Sequence, residues 1–254
     1  MYNGNSMKDI KKYEQTYLEH YGFEKYQVQY RRKKVLECLT NYQPQSILEV
    51  GCGLEPIFEF FDDYQQFHVV EPAPIFFESA REKAQGRPHI VVHHGFLEKL
   101  QAELAPEKFD MIIVSGLLHE FSEPVNFLQI INSLCKSHTI VHINVPNAQS
   151  IHRLLAVKMG ITTSIFENSQ LAQSLQIYKA YTLDTLVALV QKNSFEVLDK
   201  GTYFIKPFTH HQMEQMLTHK IIDMKVLDAL YEATEFFPEF GSEVYINIRK
   251  TLQN

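Results

Sequence analysis

The segment Ser46-Ile-Leu-Glu-Val-Gly51-Cys-Gly53-Leu-Glu-Pro56 constrains the fold of this 254-residue chain more than any other stretch. An apolar run ends abruptly in two glycines, which let the backbone turn sharply and let a ligand approach where a Cβ would obstruct it. Pro56 suits the first turn of a following helix, where its missing N–H costs nothing. A buried strand, a tight turn and a helix start are therefore expected in that order. Further strands read as Phe67–Glu71, Ile90–His94, Met111–Ser115 and Thr139–Val145. Between them lie helical candidates at Ile57–Tyr64, Ile75–Gln85, Leu97–Leu104 and Val125–Cys135. Strands that alternate with helices need crossover connections, hence a parallel sheet covered by helices on both faces. Phe195–Ile205 and Glu243–Ile248 bring the strands to seven, an α/β three-layer sandwich with a mostly parallel sheet. Such sheets bind ligands beyond the carboxyl ends of their strands, so the tips after Val50, Glu71, His94 and Ser115 should line one pocket.

The rest of the chain is read as cover for that core. Residues 7–42 carry Tyr13, Tyr17, Leu18, Tyr21 and later Val28, Val35, Leu36, Leu39 at helical spacing, so 1–45 reads as an N-terminal helical cap. Its basic run, Tyr30-Arg31-Arg32-Lys33-Lys34, is either a solvated helix face or the source of an arginine that turns inward to hold a carboxylate. Residues 46–145 form the core, and 146–180 and 206–240 are helical insertions serving as lid segments, the second with a Met-rich apolar stripe. Thr182–Lys192 reads as a helix capped by Thr182. No repeat, low-complexity tract or linker divides the chain, so residues 1–254 are expected to form one domain.

Charge and composition exclude several functions. Twenty-four Lys and Arg against 30 Asp and Glu give a net charge of -6, which argues against a general nucleic-acid binder. No apolar run approaches the roughly 20 residues that cross a bilayer, and the first residues lack the apolar core of a signal peptide. Cys38, Cys52 and Cys135 are far apart and form no CxxC pair, so neither a disulfide framework nor a metal site is expected. The expectation is a cytoplasmic protein with a small-molecule substrate and no membrane or nucleic-acid partner; a homodimer stays open.

The glycine turn narrows the ligand. Glu71 stands 20 residues beyond Gly51, at the end of the second strand, where an acid accepts hydrogen bonds from ribose hydroxyls. A dinucleotide needs a third glycine and free helix N–H groups for its pyrophosphate, but this chain has Pro56 there, preceded by the repelling Glu55. Glu49 adds a negative charge before the turn, and no GxxxxGK[ST] run exists. A ligand with a ribose, a sulfonium and an α-ammonium group and no phosphate suits these acids.

These residues resemble a known family. Glu49-Val-Gly51-Cys52-Gly53 is similar to the first motif of the class I S-adenosylmethionine-dependent methyltransferases, and Glu71-Pro72 to their ribose-binding acid. Gly95-Phe96-Leu97-Glu98 falls where that family clasps adenine, and Phe109–Ser115 matches its fourth strand. The resemblance covers about residues 35–145 and returns over 181–198. It implies a Rossmann-like fold, an S-adenosyl-L-methionine cofactor held by Glu49, Gly51, Cys52, Gly53, Glu71, Pro72, Gly95, Phe96, Leu97 and Ser115, and methyl transfer to an oxygen or nitrogen of a small molecule. Two departures stand out: Glu55 replaces the usual third glycine, and Phe96 occupies a position that is often acidic. The loop Ser115-Gly-Leu-Leu-His119-Glu120-Phe121 resembles the stretch carrying the general base of small-molecule O-methyltransferases, with His119 at the base position and Glu120 as a tuning carboxylate. A histidine near neutral pKa suits that proton abstraction. A histidine packed under the next helix would use the same residues. Two other readings stay open, a nucleotide-dependent oxidoreductase and a non-catalytic binding protein that keeps the fold.

Overall fold

The computed structural model describes residues 9–251 apart from His20. The first two positions of the 7–42 helical expectation lie outside the described residues. In chain order the helices are α1 (Ile10–Glu19), α2 (Tyr21–Tyr42), α3 (Pro74–Lys83), α4 (Leu97–Leu104), α5 (Pro124–Leu134), α6 (Ile151–Lys158), α7 (Gln170–Ser174), α8 (Leu183–Lys192), α9 (His210–Thr218) and α10 (Met224–Glu232). The strands are β1 (Ser46–Val50), β2 (Gln66–Glu71), β3 (Ile90–His94), β4 (Met111–Ser115), β5 (Ile140–Pro146), β6 (Phe195–Tyr203) and β7 (Glu243–Lys250). They form one seven-stranded sheet in the order β3-β2-β1-β4-β5-β7-β6. All pairs are parallel except those of β7, which runs antiparallel to β5 and β6. The α/β Rossmann-like expectation holds.

Side-chain alternation divides each central strand between two cores. Leu48, Val50, Ile112 and Val114 pack with α4, α5 and α8 through Leu104, Phe127, Ile131 and Leu186. Ile47, Met111 and Ile113 face the other way, onto Val35 and Leu39 of α2 and Ala80 of α3. Strand order reverses between β1 and β4, so the crevice at their carboxyl ends is the topological switch point. Thr182 caps α8 with its hydroxyl, and Thr185 completes a capping box. Thr182→Ala should lower stability by about 1 kcal/mol, a shift that denaturant titration resolves.

Several expected boundaries change, each for a physical reason. Ile57–Tyr64 is not a helix; only Ile57–Glu59 makes a single 3-10 turn. Ile57 and Phe58 are buried against the sheet, and the chain then runs on into β2, with Gln65 and Gln66 both donating to the Gln45 carbonyl. Thr139 precedes β5, its hydroxyl bonded to the Phe109 carbonyl. β6 ends at Tyr203 because Phe204 takes a left-handed conformation (φ 58) while its ring stacks on Tyr30. The 206–240 stretch carries α9 and α10, and its Met213 and Leu227 join Phe23 and Tyr30 of α2 in a third small core.

Candidate functional site

A cavity of about 400 Å3 opens at the carboxyl ends of β1, β2 and β4, with one wall from the start of α4 and a roof from α1. Its floor is the glycine turn. Gly51 and Gly53 both have positive φ (77 and 56), the left-handed region that favours glycine. A Cβ on Gly53 would meet no protein atom within 4 Å, so the space above it is open for a ligand.

Glu71 closes the turn from the next strand. One carboxylate oxygen accepts from the backbone N–H of Cys52 (3.0 Å) and Gly53 (3.2 Å), and the other from Ala73 (2.9 Å). Burial pushes its carboxyl up to about 7 even though those three N–H groups pull the other way. Glu49 accepts from the Ile57 N–H at 3.0 Å, and burial, helped by the charge of Glu71, raises it to about 8. Two buried acids thus stand at one end of the cavity, each held near the proton-loss point at neutral pH, and each would be relieved by a cation. Glu55, the residue in place of a third glycine, pairs with Arg32 of α2 (2.5 Å).

Of the residues singled out in the sequence, Glu49, Gly51, Cys52, Gly53, Glu71, Pro72, Phe96, Leu97 and Ser115 all line the cavity. Gly95 does not; its N–H bonds the Glu71 carbonyl (3.1 Å) and it sits behind Phe96. The acid on this wall is Glu98, in the first turn of α4. Ser115 is tied to Asn144 of β5, which also accepts from the Gly116 N–H at 2.9 Å.

His119 is placed differently from the other singled-out residues. Leu118–Glu120 forms a 3-10 turn, in which side chains three apart eclipse one another. Leu117 and Glu120 therefore share the cavity-facing side, and both line the cavity. His119 falls between them, is buried at 6% exposure, and is absent from the cavity wall. Its carbonyl takes the N–H groups of Tyr178 and Lys179, both at 3.1 Å, which fastens the loop to the 146–180 segment. The turn's phase, not its composition, sets the histidine off the cavity wall.

Other residues enter that the sequence reading did not place. Arg31 lines the cavity, and its Nη1 would lie 3.1 Å from a Cβ on Gly116. From behind, Nε bonds both oxygens of Glu243 at 3.1 Å, and Nη2 contacts both Glu243 and Glu24. Glu243 is fully buried and also accepts from Gln27 (3.0 Å) and the Tyr203 hydroxyl (2.9 Å). The basic run thus supplies the inward-turning arginine. Tyr13 and Tyr17 form the roof, both packed edge-to-face against Phe76 of α3, and the Tyr13 hydroxyl is hydrogen-bonded to Glu120. Their i, i+4 spacing in α1 was the available signal. The roof is pinned by Glu14, which accepts from the Ile75 N–H (2.9 Å), and by paired bonds between Asp9 and Gln176. Arg153 instead donates to the carbonyls of Ile165 and Glu167 and braces the insertion. No residue of 206–240 lines the cavity, which leaves α1 and Tyr178 as its cover. Among the described residues, no cluster of three His, Cys, Asp or Glu groups has the arrangement of a metal site, and no helix is long and apolar enough to cross a membrane.

Comparison with known proteins gives the family and the fold. The family model described as "Methyltransferase domain" matches residues 18–200. No curated protein matches the chain. Among solved structures, the chain is similar to the [4+2]-cyclase SpnF (TM-score 0.56, 15% identity, 87% of this chain and 82% of that one). It is similar also to the plantazolicin methyltransferase BpumL in complex with SAH (0.53, 14%, 98% and 92%). A third is a putative sarcosine dimethylglycine methyltransferase from Galdieria sulphuraria (0.55, 13%, 87% and 84%). At these identities the likeness is one of fold. With the family model spanning both the glycine turn and the β4 loop, the chain belongs to the methyltransferase-domain family of class I, S-adenosylmethionine-dependent proteins.

Proposed function

We propose that this protein transfers the methyl group of S-adenosyl-L-methionine to an oxygen or nitrogen of a small molecule, acting as one domain over residues 1–254. The observation that carries the reading is the pairing of Glu71 with the open glycine turn at one end of the cavity and the Arg31 guanidinium at the other. The residues present fit the cofactor. Glu71 keeps acceptor capacity for ribose hydroxyls on Oε1, which accepts from the Ala73 N–H, while Oε2 takes the N–H groups of Cys52 and Gly53 and the Cys52 thiol. Pro72 flanks that acid, Phe96 and Leu97 present apolar surface for the adenine, and Gly51, Cys52 and Gly53 leave room for the methionine portion. Arg31 Nη1 would take the α-carboxylate, and Glu49 would face the cationic groups.

When bound, the cofactor supplies a methyl on a positively charged sulfur, already activated for displacement. What remains for the protein is positioning and exclusion of water. Tyr13 and Tyr17 from the roof, and Tyr178 from the insertion, line the cavity and shield part of it from water. Ser115 and Gly116, fixed by Asn144, set the floor beside the reacting atoms. The neighbour named as a cyclase shows that this fold alone does not guarantee methyl transfer.

Isothermal calorimetry with S-adenosylhomocysteine, with NAD as the control, tests the cofactor. Homocysteine-ligand binding without NAD binding is expected; the reverse would favour the oxidoreductase reading. Glu71→Ala should weaken the nucleoside by at least about tenfold, since a hydrogen bond to a charged group is worth about 1.5–3 kcal/mol. Incubation of the protein with labelled S-adenosylmethionine and a cell extract then separates turnover from mere binding.

A further inference from the structure

Resting on that reading, we propose that His142, buried in β5, is a positioning residue for methyl transfer. Its ring, as the Nδ1–H tautomer, locks the Asn144 amide, and Asn144 holds the Ser115-Gly116 corner beside the reacting atoms. The side chains that do this form a line across four strands. Ser115 of β4 stands opposite Asn144 of β5, His142 opposite Asn247 of β7, and Asn247 opposite Asp199 of β6. His142, Asn144 and Asn247 are buried, whereas Asp199 is exposed on the edge strand. The line therefore runs from the cavity floor to the rim of the sheet.

Every link in it has one direction, fixed from the backbone outward. The Gly116 N–H can only donate, so the Asn144 amide atom 2.9 Å away must be its oxygen. The Ser115 hydroxyl donates to the same oxygen at 3.2 Å. The amide NH2 then faces His142 Nε2 at 3.0 Å, which leaves that nitrogen as an acceptor. The ring proton must sit on Nδ1, which donates to Asn247 Oδ1 at 2.7 Å. Asn247 offers its own NH2 to the Asp199 carboxylate (3.3 Å) and to Cys38 Sγ of α2 (3.4 Å). An ionised carboxylate only accepts, so a backbone donor at one end and an anion at the other demand the same polarity.

A proton on Nε2 would point at the Asn144 NH2. The amide would have to turn over, and its NH2 would then meet the Gly116 N–H. The corner it holds is tightly placed. Gly116 is left-handed (φ 66), and a Cβ there would lie 3.1 Å from Arg31 Nη1, so corner and guanidinium share one packed contact. Both line the cavity. Burial lowers His142 to about 4, against the bond to Asn247 and the charge of Asp199 and with the charge of Lys34, so the ring is neutral at pH 7. A displacement of about 1 Å at the reacting atoms costs on the order of 100-fold in rate, which gives a locked corner its value.

Long-range proton–nitrogen NMR of the protein with isotope-labelled histidine reads the tautomer directly, the His142 signal being identified by its loss in His142→Gln. The Nδ1–H pattern is expected; an Nε2–H pattern would overturn the proposal. Glutamine restores one acceptor and one donor, whereas leucine restores bulk alone. Calorimetry with S-adenosylhomocysteine should find His142→Gln within about threefold of the unaltered protein and His142→Leu weaker by at least about tenfold, as Gly116 and Arg31 shift together. The Gly116 amide resonance should move in His142→Leu and stay in place in His142→Gln. A folded leucine variant with unchanged affinity and an unmoved Gly116 resonance would overturn the assignment, as would a glutamine variant that binds no better than leucine. Where the leucine variant does not fold, the tautomer and the glutamine affinity still decide. Failure of the unaltered protein to bind S-adenosylhomocysteine would instead sink the cofactor reading, while the tautomer and the Gly116 resonance go on reporting the lock in the ligand-free protein.

Discussion

Glu243→Ala should lower the midpoint of thermal unfolding by on the order of 10 °C, at about 2–4 °C per kcal/mol for a chain of this size. The wild-type carboxylate is fully buried and accepts from Arg31, Gln27 and Tyr203. Its removal leaves a guanidinium with only Glu24 (3.3 Å) as counterion, and leaves a buried amide and a buried phenol without that acceptor. Breaking one side of a buried ion pair costs about 3–5 kcal/mol, because the stranded charge stays out of water. The pH dependence has a definite sign. Burial alone would raise Glu243, but the charge and hydrogen bonds of Arg31, with those of Gln27 and Tyr203, bring it below the ordinary carboxylate range. Its contribution is present above the unfolded value and lost as pH falls through the lower folded value. A variant that melts within 2 °C of the wild type at pH 7 would show that the pair is not a principal support.

The second large effect lies higher on the pH scale. Affinity for S-adenosylmethionine should rise by on the order of 100-fold between pH 6 and pH 8.5, as the two acids beneath the glycine turn lose their protons. Glu49 and Glu71 have folded values of about 8 and about 7, both above an unfolded carboxylate. The stability from their protonated forms is complete below the unfolded value and disappears as pH rises through 7 to 8, so the ligand-free protein should melt lower at pH 8.5 than at pH 6. A sulfonium and an ammonium placed beside the ionised acids reverse that loss, so the ligand-induced rise in melting temperature should grow across the same window. Glu49→Gln should flatten much of the curve. Calorimetry that finds one dissociation constant from pH 6 to pH 8.5 would remove Glu49 from the cation site and Glu71 from the ribose site.

Much of the scaffold was legible because its signals are local. β1, β3 and β4 are short apolar runs closed by turns, and their observed ends match the sequence expectation. Glu71 and the two glycines were legible for the same reason, being joined by one crossover. The stretch 57–64 misled because Ile57, Phe58, Phe61 and Tyr64 repeat at helical spacing although no helix follows the 3-10 turn. Periodicity reports which residues are buried, not how the backbone carries them there. The remaining site residues meet across long separations: Arg31 and Glu243 are 212 positions apart. Tyr13 and Glu120 likewise come from different ends of the fold, and nothing in either neighbourhood announces the other. The placement of His119 was hidden for a different reason. Its loop was placed correctly, but one residue of helical phase decides which side chain enters the cavity.

The antiparallel course of β7 has a consequence for how the protein is born. In a wholly parallel sheet every strand would bring its final residues to the ligand edge, but here Glu243 arrives there as the first residue of β7. The guanidinium it aligns belongs to α2, which leaves the ribosome long before β7 is made. A nascent chain can therefore assemble the glycine turn and its acids early, while Arg31 still swings freely. Arg31 is aligned only once β7 slots between β5 and β6, so the two sides of the cavity are set at different stages of synthesis.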